Sequence, residues 1–438
     1  MLFGQIPFLP LVDAESTSEQ LTSSLARIVP LLVPSSLASS TLPSLPSSAE
    51  YYVLDDSKIT LEEAIAYLDK GATRLVSKNP SFLAQIPSER FILHLDGSSP
   101  SSDASILSNP DLLANISAVL LETSDFAESH LQPYRTALKV SPKSLRPLDL
   151  FVLCASRDSK QILAQPAALK LLSKSVAATC VLPTSLLSTT LGNLSSPHPD
   201  DGKLSIATLY TTALRTDRPD GLFVTLPVSL TSVTTPLGVV YSSEESIGHS
   251  ILTGNATYYS RSRHGLWEKG LTSGAMQRVE RIRFDCDNDA LEFGVVESGP
   301  NGEKEGFCHV PQQISCFGGV NGLAELESTL KKRMEEAPAG SYTKRLFSEP
   351  KLLRAKIMEE AGEVCDAETK EDLAGEVADL LYFTMTRAVS MGVSLKDVQE
   401  VLNRRSLKVT RRKGDAKPEW VEKLGLNQEQ AVGVKGEK

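Results

Sequence analysis

The densest group of chemically capable residues is the run Asp285-Cys286-Asp287-Asn288-Asp289. It lies in a strand-like stretch, and the alternation of side chains along a strand predicts the three aspartates on one face and Cys286 on the other. Three carboxylates on one face suit a hard cation such as Mg²⁺, whereas a thiolate suits a softer ion such as zinc. An EF-hand calcium loop is excluded, because Ala290 stands where that loop needs glycine and Val296 where it needs glutamate. The alternative is an acidic edge strand without a metal.

Two further cysteines, Cys308 and Cys316, follow Cys286 closely in the sequence, and His309 lies next to Cys308. Three protein ligands with one position left for water form a catalytic zinc site, in which the pKa of the water falls to about 7. His309 would then be a fourth ligand or the general base for that water. The alternative is a set of buried free thiols, since no CxxC pair is present.

Upstream of these motifs, arginines alternate with hydroxyl residues, and a turn of hydroxyl residues and glycine follows. Guanidinium groups bind phosphate through paired hydrogen bonds, and backbone N–H groups can approach a phosphate closely at glycine. We therefore expect a phosphate-binding surface, with an exposed hairpin of ordinary surface charges as the alternative. The candidate residues are Arg261, Ser262, Arg263, Trp267, Thr272, Ser273, Gly274 and Gln277.

A second set of carboxylates has helical spacing and consists of Glu360, Glu363, Glu376 and Asp379. Residues three apart are neighbours on one helix face, so two antiparallel helices would bring the four carboxylates to one point. Such a group calls for Mg²⁺, which usually meets a substrate phosphate. A solvated acidic face is the alternative, although apolar neighbours around Glu376 and Asp379 would make unpaired carboxylates costly there. The residues that we expect to contact the phosphates are Ser341, Tyr342, Arg345 and Lys356.

The elements that position these residues fall into several regions, as a length of 438 residues allows. Residues 1–203 alternate short apolar runs with helical patterns and predict an α/β domain. Residues 204–318 carry short strands rich in β-branched and aromatic residues and predict a mainly β (α+β) domain. Residues 319–406 predict an all-α domain of four helices, and residues 407–438 a basic linker or tail.

The composition of the chain indicates which classes of partner are excluded and in which cellular compartment the protein works. The chain carries 54 acidic residues against 45 lysines and arginines, a net charge of -9, which argues against nucleic acid and anionic membranes as partners. No apolar run approaches the roughly 20 residues that span a bilayer, and the first residues lack the basic region of a secretory signal. Six cysteines in so long a chain favour a reducing compartment. We therefore expect a cytoplasmic enzyme.

The motifs resemble two enzyme families of histidine biosynthesis. A resemblance to phosphoribosyl-AMP cyclohydrolase covers roughly residues 204–318 and rests on the segments YYSRSR, LWEKGLTSG, DCDNDALEF and FCHVPQQISCF. A resemblance to phosphoribosyl-ATP pyrophosphohydrolase covers roughly residues 320–406 and rests on EEAPAGSYTKRLF, KIMEEAGEV and GEVADLLYF. With the serine-rich leader and the basic SLKVTRRKGDAKP segment, the order is similar to the front part of the fungal trifunctional histidine-biosynthesis proteins, without their histidinol dehydrogenase domain.

These resemblances imply ligands for two kinds of metal. The cyclohydrolase resemblance implies Mg²⁺ on Asp285, Asp287 and Asp289. It also implies a zinc ion held by Cys308, Cys316 and Cys286 of the partner subunit in a homodimer. The pyrophosphohydrolase resemblance implies Mg²⁺ on Glu360, Glu363, Glu376 and Asp379.

The implied function is a bifunctional hydrolase acting on small phosphoribosyl nucleotides. It would release pyrophosphate from phosphoribosyl-ATP and then open the purine ring of phosphoribosyl-AMP with zinc-activated water. The rival functions are a nucleotide-binding protein without turnover and a general nucleotide pyrophosphatase. The leader is similar to a fragment of a phosphate-binding barrel, and we expect no catalysis there.

Overall fold

The computed structural model describes residues 6–13, 18–97, 100–138, 148–154, 177–191, 203–231, 234–298, 307–310, 313–319 and 322–410. Along this part of the chain an eight-stranded parallel barrel comes first, a middle region with a mixed sheet follows, and a group of helices comes last. None of the described helices is long and apolar enough to cross a membrane.

The barrel is closed, because its last strand pairs in parallel with its first, from Phe8 opposite Cys180 to Leu11 opposite Pro183. Its strands are β1 (Phe8–Leu11), β2 (Leu31–Pro34), β3 (Tyr51–Leu54), β4 (Arg74–Ser77), β5 (Phe91–Leu95), β6 (Ala118–Thr123), β7 (Asp149–Cys154) and β8 (Thr179–Pro183). The predicted α/β pattern is therefore confirmed. The likeness to a barrel is also confirmed, but the eight strands form a complete barrel and not a fragment of one.

Alternate residues along each strand fill two different spaces. One set, which includes Val76, Ile92 and Leu120, forms an apolar cluster of its own inside the barrel. The other set packs outward against the helices. The described helices of this region are α1 (Glu19–Ala26), α2 (Ala38–Thr41), α3 (Leu61–Asp69), α4 (Pro100–Leu107), α5 (Pro110–Leu113) and α6 (Glu128–Leu138).

In the middle region, the described residues form a mixed sheet, a separate hairpin and two helices. Strands β9 (Leu187–Ser188) and β10 (Leu204–Ser205) form a short parallel pair before it. The sheet has the order β12 (Thr235–Pro236), β11 (Phe223–Ser229), β17 (Ala290–Ser298) and β16 (Met276–Phe284), with β13 (Val240–Ser242) also paired to β11. The hairpin consists of β14 (Thr257–Ser260) and β15 (Gly265–Glu268), and the helices are α7 (Ile206–Thr211) and α8 (Glu244–Thr253).

Strand β16 lies at the edge of the mixed sheet, and the barrel covers that edge. The N–H of Ile282 donates to the carbonyl oxygen of Arg27 at 2.6 Å, and the Arg27 guanidinium donates to the carbonyl oxygen of Val279 at 3.1 Å. Glu50 pairs with Arg283 at 3.0 Å. Because an open strand edge presents unpaired main-chain groups, these contacts both satisfy β16 and fix its position against the barrel.

The helical region comprises α9 (Leu323–Glu336), α10 (Tyr342–Ser348), α11 (Pro350–Asp366), α12 (Lys370–Ser390) and α13 (Leu395–Ser406). Four of these helices match the predicted ones, and the all-α prediction is confirmed. The short helix α10 is an addition; Ser341 caps it by accepting a hydrogen bond from the N–H of Lys344.

The start of the predicted basic tail contacts the barrel. Asp69 accepts hydrogen bonds from the N–H groups of Val409 at 2.7 Å and Thr410 at 3.2 Å, and the buried Arg90 guanidinium donates to the carbonyl oxygen of Leu407. Residues 407–410 are thus held against the barrel and do not form a free linker. The rest of the predicted tail, residues 411–438, lies outside the described residues.

Candidate functional site: two groups of carboxylates

The run of three aspartates is a hairpin loop between β16 and β17, so the prediction that it lies within a strand is wrong. Two local features cause the turn. Asn288 has φ 66°, in the left-handed region that asparagine tolerates. The Asp285 carboxylate accepts hydrogen bonds from the N–H groups of Asp289 at 3.0 Å and Ala290 at 3.2 Å. Alternation of faces therefore does not place these side chains.

The loop nevertheless brings the three aspartates together. Carboxylate oxygens of Asp285, Asp287 and Asp289 lie within 4.8 Å of one another, and all three side chains are exposed. The hydrogen bond to Asp285 and the negative charges of Asp285 and Asp287 raise the pKa of Asp289. Three carboxylates this close together fit a hard divalent cation, whose charge would remove the repulsion that Asp289 feels.

Of the three predicted zinc ligands, the structure joins two. Burial and then the neighbouring Cys308 thiol raise the pKa of the Cys316 thiol. The Cys308 sulfur itself donates to Gln313 Oε1 at 3.7 Å. The three sulfur atoms do not gather within 4.8 Å, because Cys286 lies on the aspartate loop. His309, next to Cys308, is exposed. One chain therefore offers two thiols at one point and a third thiol elsewhere.

Sequence reasoning missed the surroundings of this thiol pair. Lys269 is only 8% exposed, its Nζ lies 5.4 Å from the centre of the Phe307 ring, and its charge opposes the rise in the Cys316 pKa. Gly238 packs against Phe307 and Cys316. A Cβ atom at position 238 would lie 2.7 Å from the Phe307 ring and 3.2 Å from the Cys316 sulfur. The signal available in the sequence was Lys269 in the WEKG segment, two residues after Trp267, which was predicted to bind substrate.

The predicted phosphate-binding arginines lie in the turn between β14 and β15. Arg261, Ser262 and Arg263 are exposed, as expected both for a phosphate site and for an ordinary surface hairpin. The Arg261 guanidinium lies 4.0 Å from the centre of the Tyr241 ring, which holds it over the neighbouring strand β13. Trp267, on β15, packs against Tyr258 with ring centres 5.8 Å apart.

The next predicted group follows β15 directly. Thr272 and Ser273 are exposed, and Gly274 has φ 81°. Gln277 differs from them, because it is 2% exposed and accepts a hydrogen bond from the Tyr258 hydroxyl at 3.0 Å. The turn thus presents hydroxyl groups to solvent, whereas Gln277 supports the hairpin from the interior.

In the helical region, α11 and α12 pack together and align the predicted acidic residues. Carboxylate oxygens of Glu360, Glu376 and Asp379 lie within 4.8 Å of one another, and Glu363 belongs to an overlapping group with Glu360. Burial and then the charges of Glu360 and Glu376 raise the pKa of Glu363. The helix faces thus bring all four predicted carboxylates to one place, with Glu360 at its buried centre at 4% exposure.

Lys356 lies against this group. Its Nζ is 2.7 Å from Glu360 and 3.0 Å from Glu359, and these hydrogen bonds raise its pKa. One turn back along the helix from Glu360, it supplies a single positive charge to a strongly negative site. This arrangement suits a cation-dependent site that also receives an anionic substrate.

The remaining predicted phosphate contacts cluster on α10. Ser341 caps the helix, Tyr342 is 48% exposed with its ring edge toward Phe383, and Arg345 makes a two-point ion pair with Glu349. Arg345 would have to exchange Glu349 for a phosphate, at an exposed position where such an ion pair is weak.

Two family models match this chain. Residues 238–318 match phosphoribosyl-AMP cyclohydrolase and residues 323–406 match phosphoribosyl-ATP pyrophosphohydrolase. The first segment contains the aspartate loop and the three cysteines, and the second contains the four helical carboxylates.

Several proteins of histidine biosynthesis are similar to this chain. It is 53% identical over 228 residues to the histidine biosynthesis bifunctional protein his7 of Schizosaccharomyces pombe, which covers 52% of each chain. It is 38% identical over 369 residues to the histidine biosynthesis trifunctional protein of Neurospora crassa, which covers 84% of this chain and 38% of that protein. The chain thus spans about half or less of the length of these fungal relatives.

The fold and the sites define a multidomain protein with two clusters of carboxylates. One cluster lies on a hairpin loop and the other on a pair of helices. A third relative, the histidine biosynthesis bifunctional protein HisIE of Nostoc sp., is 37% identical over 185 residues, which cover 39% of this chain and 82% of that protein. The chain belongs to this family of bifunctional histidine-biosynthesis proteins.

Proposed function

We propose that this chain catalyses two hydrolytic reactions in series on phosphoribosyl nucleotides. The helical region would release pyrophosphate from phosphoribosyl-ATP, and the middle region would open the purine ring of the resulting phosphoribosyl-AMP. The observation that carries the proposal is the convergence of carboxylates at two separate places, each inside the segment that matches the corresponding family.

For the first reaction, Glu360, Glu363, Glu376 and Asp379 would hold Mg²⁺, which when bound neutralises charge on the substrate phosphates. The residues of the chain then have distinct tasks. Lys356 holds the Glu360 carboxylate in place through a hydrogen bond of 2.7 Å. The exposed Tyr342 hydroxyl and the Arg345 guanidinium orient the triphosphate, so that water reaches the bond between the α and β phosphates.

For the second reaction, Asp285, Asp287 and Asp289 would hold Mg²⁺. Cys308 and Cys316 would hold zinc, which when bound makes water acidic enough to act as a nucleophile near pH 7. Arg261, Arg263 and the Thr272–Ser273 turn would bind the phosphate of the nucleotide. His309, exposed beside Cys308, would take the proton of the water that adds to C6.

The number of cysteines at the zinc site also bears on the oligomeric state of the chain. Two thiols come together in one chain, whereas a zinc site of this kind takes three protein ligands. We therefore propose a homodimer in which Cys286 of the partner subunit completes the set. Two related sites would then form across one two-fold interface.

One experiment separates the two activities. Asp379→Asn should abolish pyrophosphate release while added phosphoribosyl-AMP is still opened, and Cys308→Ser should do the reverse. Cys365→Ser, at an exposed free cysteine of α11, is the matched control and should leave both rates unchanged. Loss of both activities in either site variant, with circular dichroism preserved, would refute two independent sites.

The shared zinc site has a sharper test. Cys286→Ser and Cys308→Ser chains should each be inactive in ring opening, yet chains co-expressed at equal levels should recover about a quarter of the wild-type rate. The reason is that half of the dimers are mixed, and each mixed dimer holds one complete set of ligands. No recovery in mixed dimers that are isolated intact would exclude ligands shared between subunits.

We further propose a cytoplasmic location and the domain limits 1–203, 204–318 and 319–406. None of the six cysteines is in a disulfide, as suits a reducing compartment. Gly318 and Gly322, both with positive φ, support a junction near residue 319.

A further inference from the structure

Two arginines from different parts of the middle region meet at the Tyr241 ring on β13. The guanidinium carbon of Arg261 lies 4.0 Å from the ring centre, and that of Arg218 lies 4.7 Å from it. Arg261 belongs to the turn between β14 and β15, whereas Arg218 belongs to the segment between α7 and β11. Because an aromatic ring attracts guanidinium groups, Tyr241 keeps together two positive charges that repel each other.

The two guanidinium groups are near enough to bind one anion. Their carbons can be no further apart than the sum of the two distances to the Tyr241 ring. Guanidinium groups bind phosphate through paired, charge-assisted hydrogen bonds, and a phosphate offers oxygens to more than one of them. A phosphate bound to both Arg218 and Arg261 would also remove the repulsion between the two charges.

Arg218 is held in place and still has donors to offer. Its Nε and Nη2 donate to the Asp220 carboxylate at 3.0 Å and 2.7 Å, and the same carboxylate accepts a hydrogen bond from the N–H of Leu222 at 3.2 Å. A guanidinium group carries five N–H donors, so three remain beyond the two that Asp220 accepts. The Arg218 side chain is 31% exposed, which leaves it accessible to a ligand from solvent.

The segment that carries Arg218 is hydrogen-bonded to the aspartate loop. The N–H of Arg215 donates to the carbonyl oxygen of Asn288 at 2.9 Å, and the Asn288 side-chain amide donates to the carbonyl oxygen of Ala213 at 3.4 Å. Arg218 follows Arg215 by three residues and therefore lies near the three aspartates. Carboxylates that hold Mg²⁺ usually share it with a substrate phosphate. A phosphate near the aspartate loop is thus expected for the same reason as Mg²⁺ is.

The substrate proposed above for ring opening carries two phosphate groups. Phosphoribosyl-AMP has one phosphate on its adenylate part and another on its phosphoribosyl part, each with a charge of about −1.5 to −2 at pH 7. The phosphate contacts predicted from the sequence lie in the turns that follow β14 and β15. They account for one phosphate, so the other needs a source of positive charge of its own.

We propose that Arg218 and Arg261, held at Tyr241, form a second phosphate subsite of the ring-opening site. Arg263 and the Thr272–Ser273 turn would then bind the other phosphate. This inference rests on the ring-opening function proposed above. It adds a residue that lies outside the segment matching the cyclohydrolase family, residues 238–318.

Steady-state kinetics of the full chain test the role of Arg218. Arg218→Met keeps the length of the side chain and removes the charge, so KM for phosphoribosyl-AMP should rise at least tenfold while kcat changes less than twofold. Pyrophosphate release by the same chain should stay unchanged. Arg278→Met is the matched control, because Arg278 is an exposed arginine of β16 with an ion pair of 2.7 Å to Glu280. If the wild type opens the ring and Arg218→Met has the same KM, the subsite is refuted and the proposed function stands.

A binding measurement identifies the phosphate without relying on turnover. The ligands are two substrate analogues, one without the phosphate of the adenylate part and one without the phosphate of the phosphoribosyl part. Their affinities are measured by calorimetry in Cys308→Ser chains, with and without Arg218→Met. Loss of the guanidinium should weaken binding of one analogue at least tenfold and leave that of the other within twofold. Equal losses for both analogues, no loss for either, or no binding to the Cys308→Ser chain would overturn the subsite.

Discussion

At the scale of single residues, convergence of carboxylates arises in two different ways in this protein. Glu360, Glu376 and Asp379 meet because helical spacing fixes which side chains share a face. Asp285 and Asp289 meet because the hairpin loop folds around a carboxylate that binds main-chain N–H groups. The helical group was therefore predictable from spacing alone. The loop group was predicted for the wrong physical reason.

Gly238 provides a residue-scale prediction for the thiol pair. In Gly238→Ala the new Cβ would lie 2.7 Å from Phe307 and 3.2 Å from the Cys316 sulfur, so Phe307 or Cys316 must move. We expect ring opening to fall at least tenfold and pyrophosphate release to stay unchanged. Gly319→Ala is the control, because a Cβ there meets nothing within 4 Å. Equal rates in the two variants would show that the position of Cys316 is not critical.

His94 provides a prediction about pH. Its folded pKa lies below the ordinary value of 6.5, owing first to burial and then to Lys78, with Glu122 and Asp96 opposing. As the pH falls below 6.5, the unfolded chain therefore binds a proton at this residue that the folded chain does not. Stability contributed by neutral His94 is present above pH 6.5 and is lost below it, by up to about 1.4 kcal/mol per pH unit.

The check is the drop in thermal midpoint between pH 7.5 and pH 5.5, measured for the wild type and for His94→Gln. We expect the smaller drop in the variant, because it lacks this proton uptake. A drop of the same size in both proteins would mean that His94 titrates normally in the folded state.

At the scale of elements, β16 links the barrel to the aspartate loop. Arg27 donates to the carbonyl oxygens of Val279 and Ile251, and the Arg27 side chain fills the space beside Gly254, where a Cβ would lie 2.7 Å from it. β16 ends at Phe284, directly before the first aspartate. The barrel therefore helps to set where the loop stands.

We predict that Arg27→Ala lowers the rate of ring opening at least fivefold and leaves pyrophosphate release unchanged. The reason is that β16 would lose its side-chain anchor while the helical carboxylates keep theirs. Arg27→Lys should recover part of the rate of ring opening, because one donor remains. The double variant Arg27→Ala, Glu50→Gln should open the ring more slowly still, because it also loses the ion pair between Glu50 and Arg283. A loss shared equally by both activities would indicate general unfolding instead.

Much of this element structure was readable from the sequence. The strands at residues 51–54, 74–77 and 91–95 are short apolar runs in the sequence. Helix α3 begins at a Thr60–Glu63 pair typical of a capping box, and both hydrogen bonds of that box are formed. Barrel closure was not readable, because β1 and β8 pair across about 170 residues and no local pattern records that partnership. The aspartate loop had a readable signal in Asn288, a residue that favours turns, but the apparent alternation outweighed it.

At the scale of the whole molecule, the barrel contacts both of the other regions. The contacts with β16 join it to the middle region, and residues 407–410 return from the last helix to its outer surface. Arg90 donates to the carbonyl oxygens of Leu68 and Thr73 within the barrel and also to that of Leu407. The barrel is thus the common support of two regions that follow it in the sequence.

Two truncations test that role. A chain ending at Thr410 keeps every described contact of this segment with Asp69 and Arg90, so we expect wild-type rates for both activities and an unchanged thermal midpoint. A chain ending at Ser406 loses the N–H groups of Val409 and Thr410 and leaves Arg90, 8% exposed, without one of its acceptors. The shorter chain loses two hydrogen bonds to the Asp69 carboxylate and one from the Arg90 guanidinium. This loss should lower the free energy of unfolding by about 2–5 kcal/mol.

The cost should appear as a lower thermal midpoint and as faster proteolysis between the helical region and the barrel, measured on both truncated chains. Pyrophosphate release should persist, because Glu360, Glu363, Glu376 and Asp379 all precede the cut. If the two truncated chains melt and digest alike, residues 407–410 contribute nothing to holding the helices on the barrel. In that case the segment is the free connector that its basic sequence predicts.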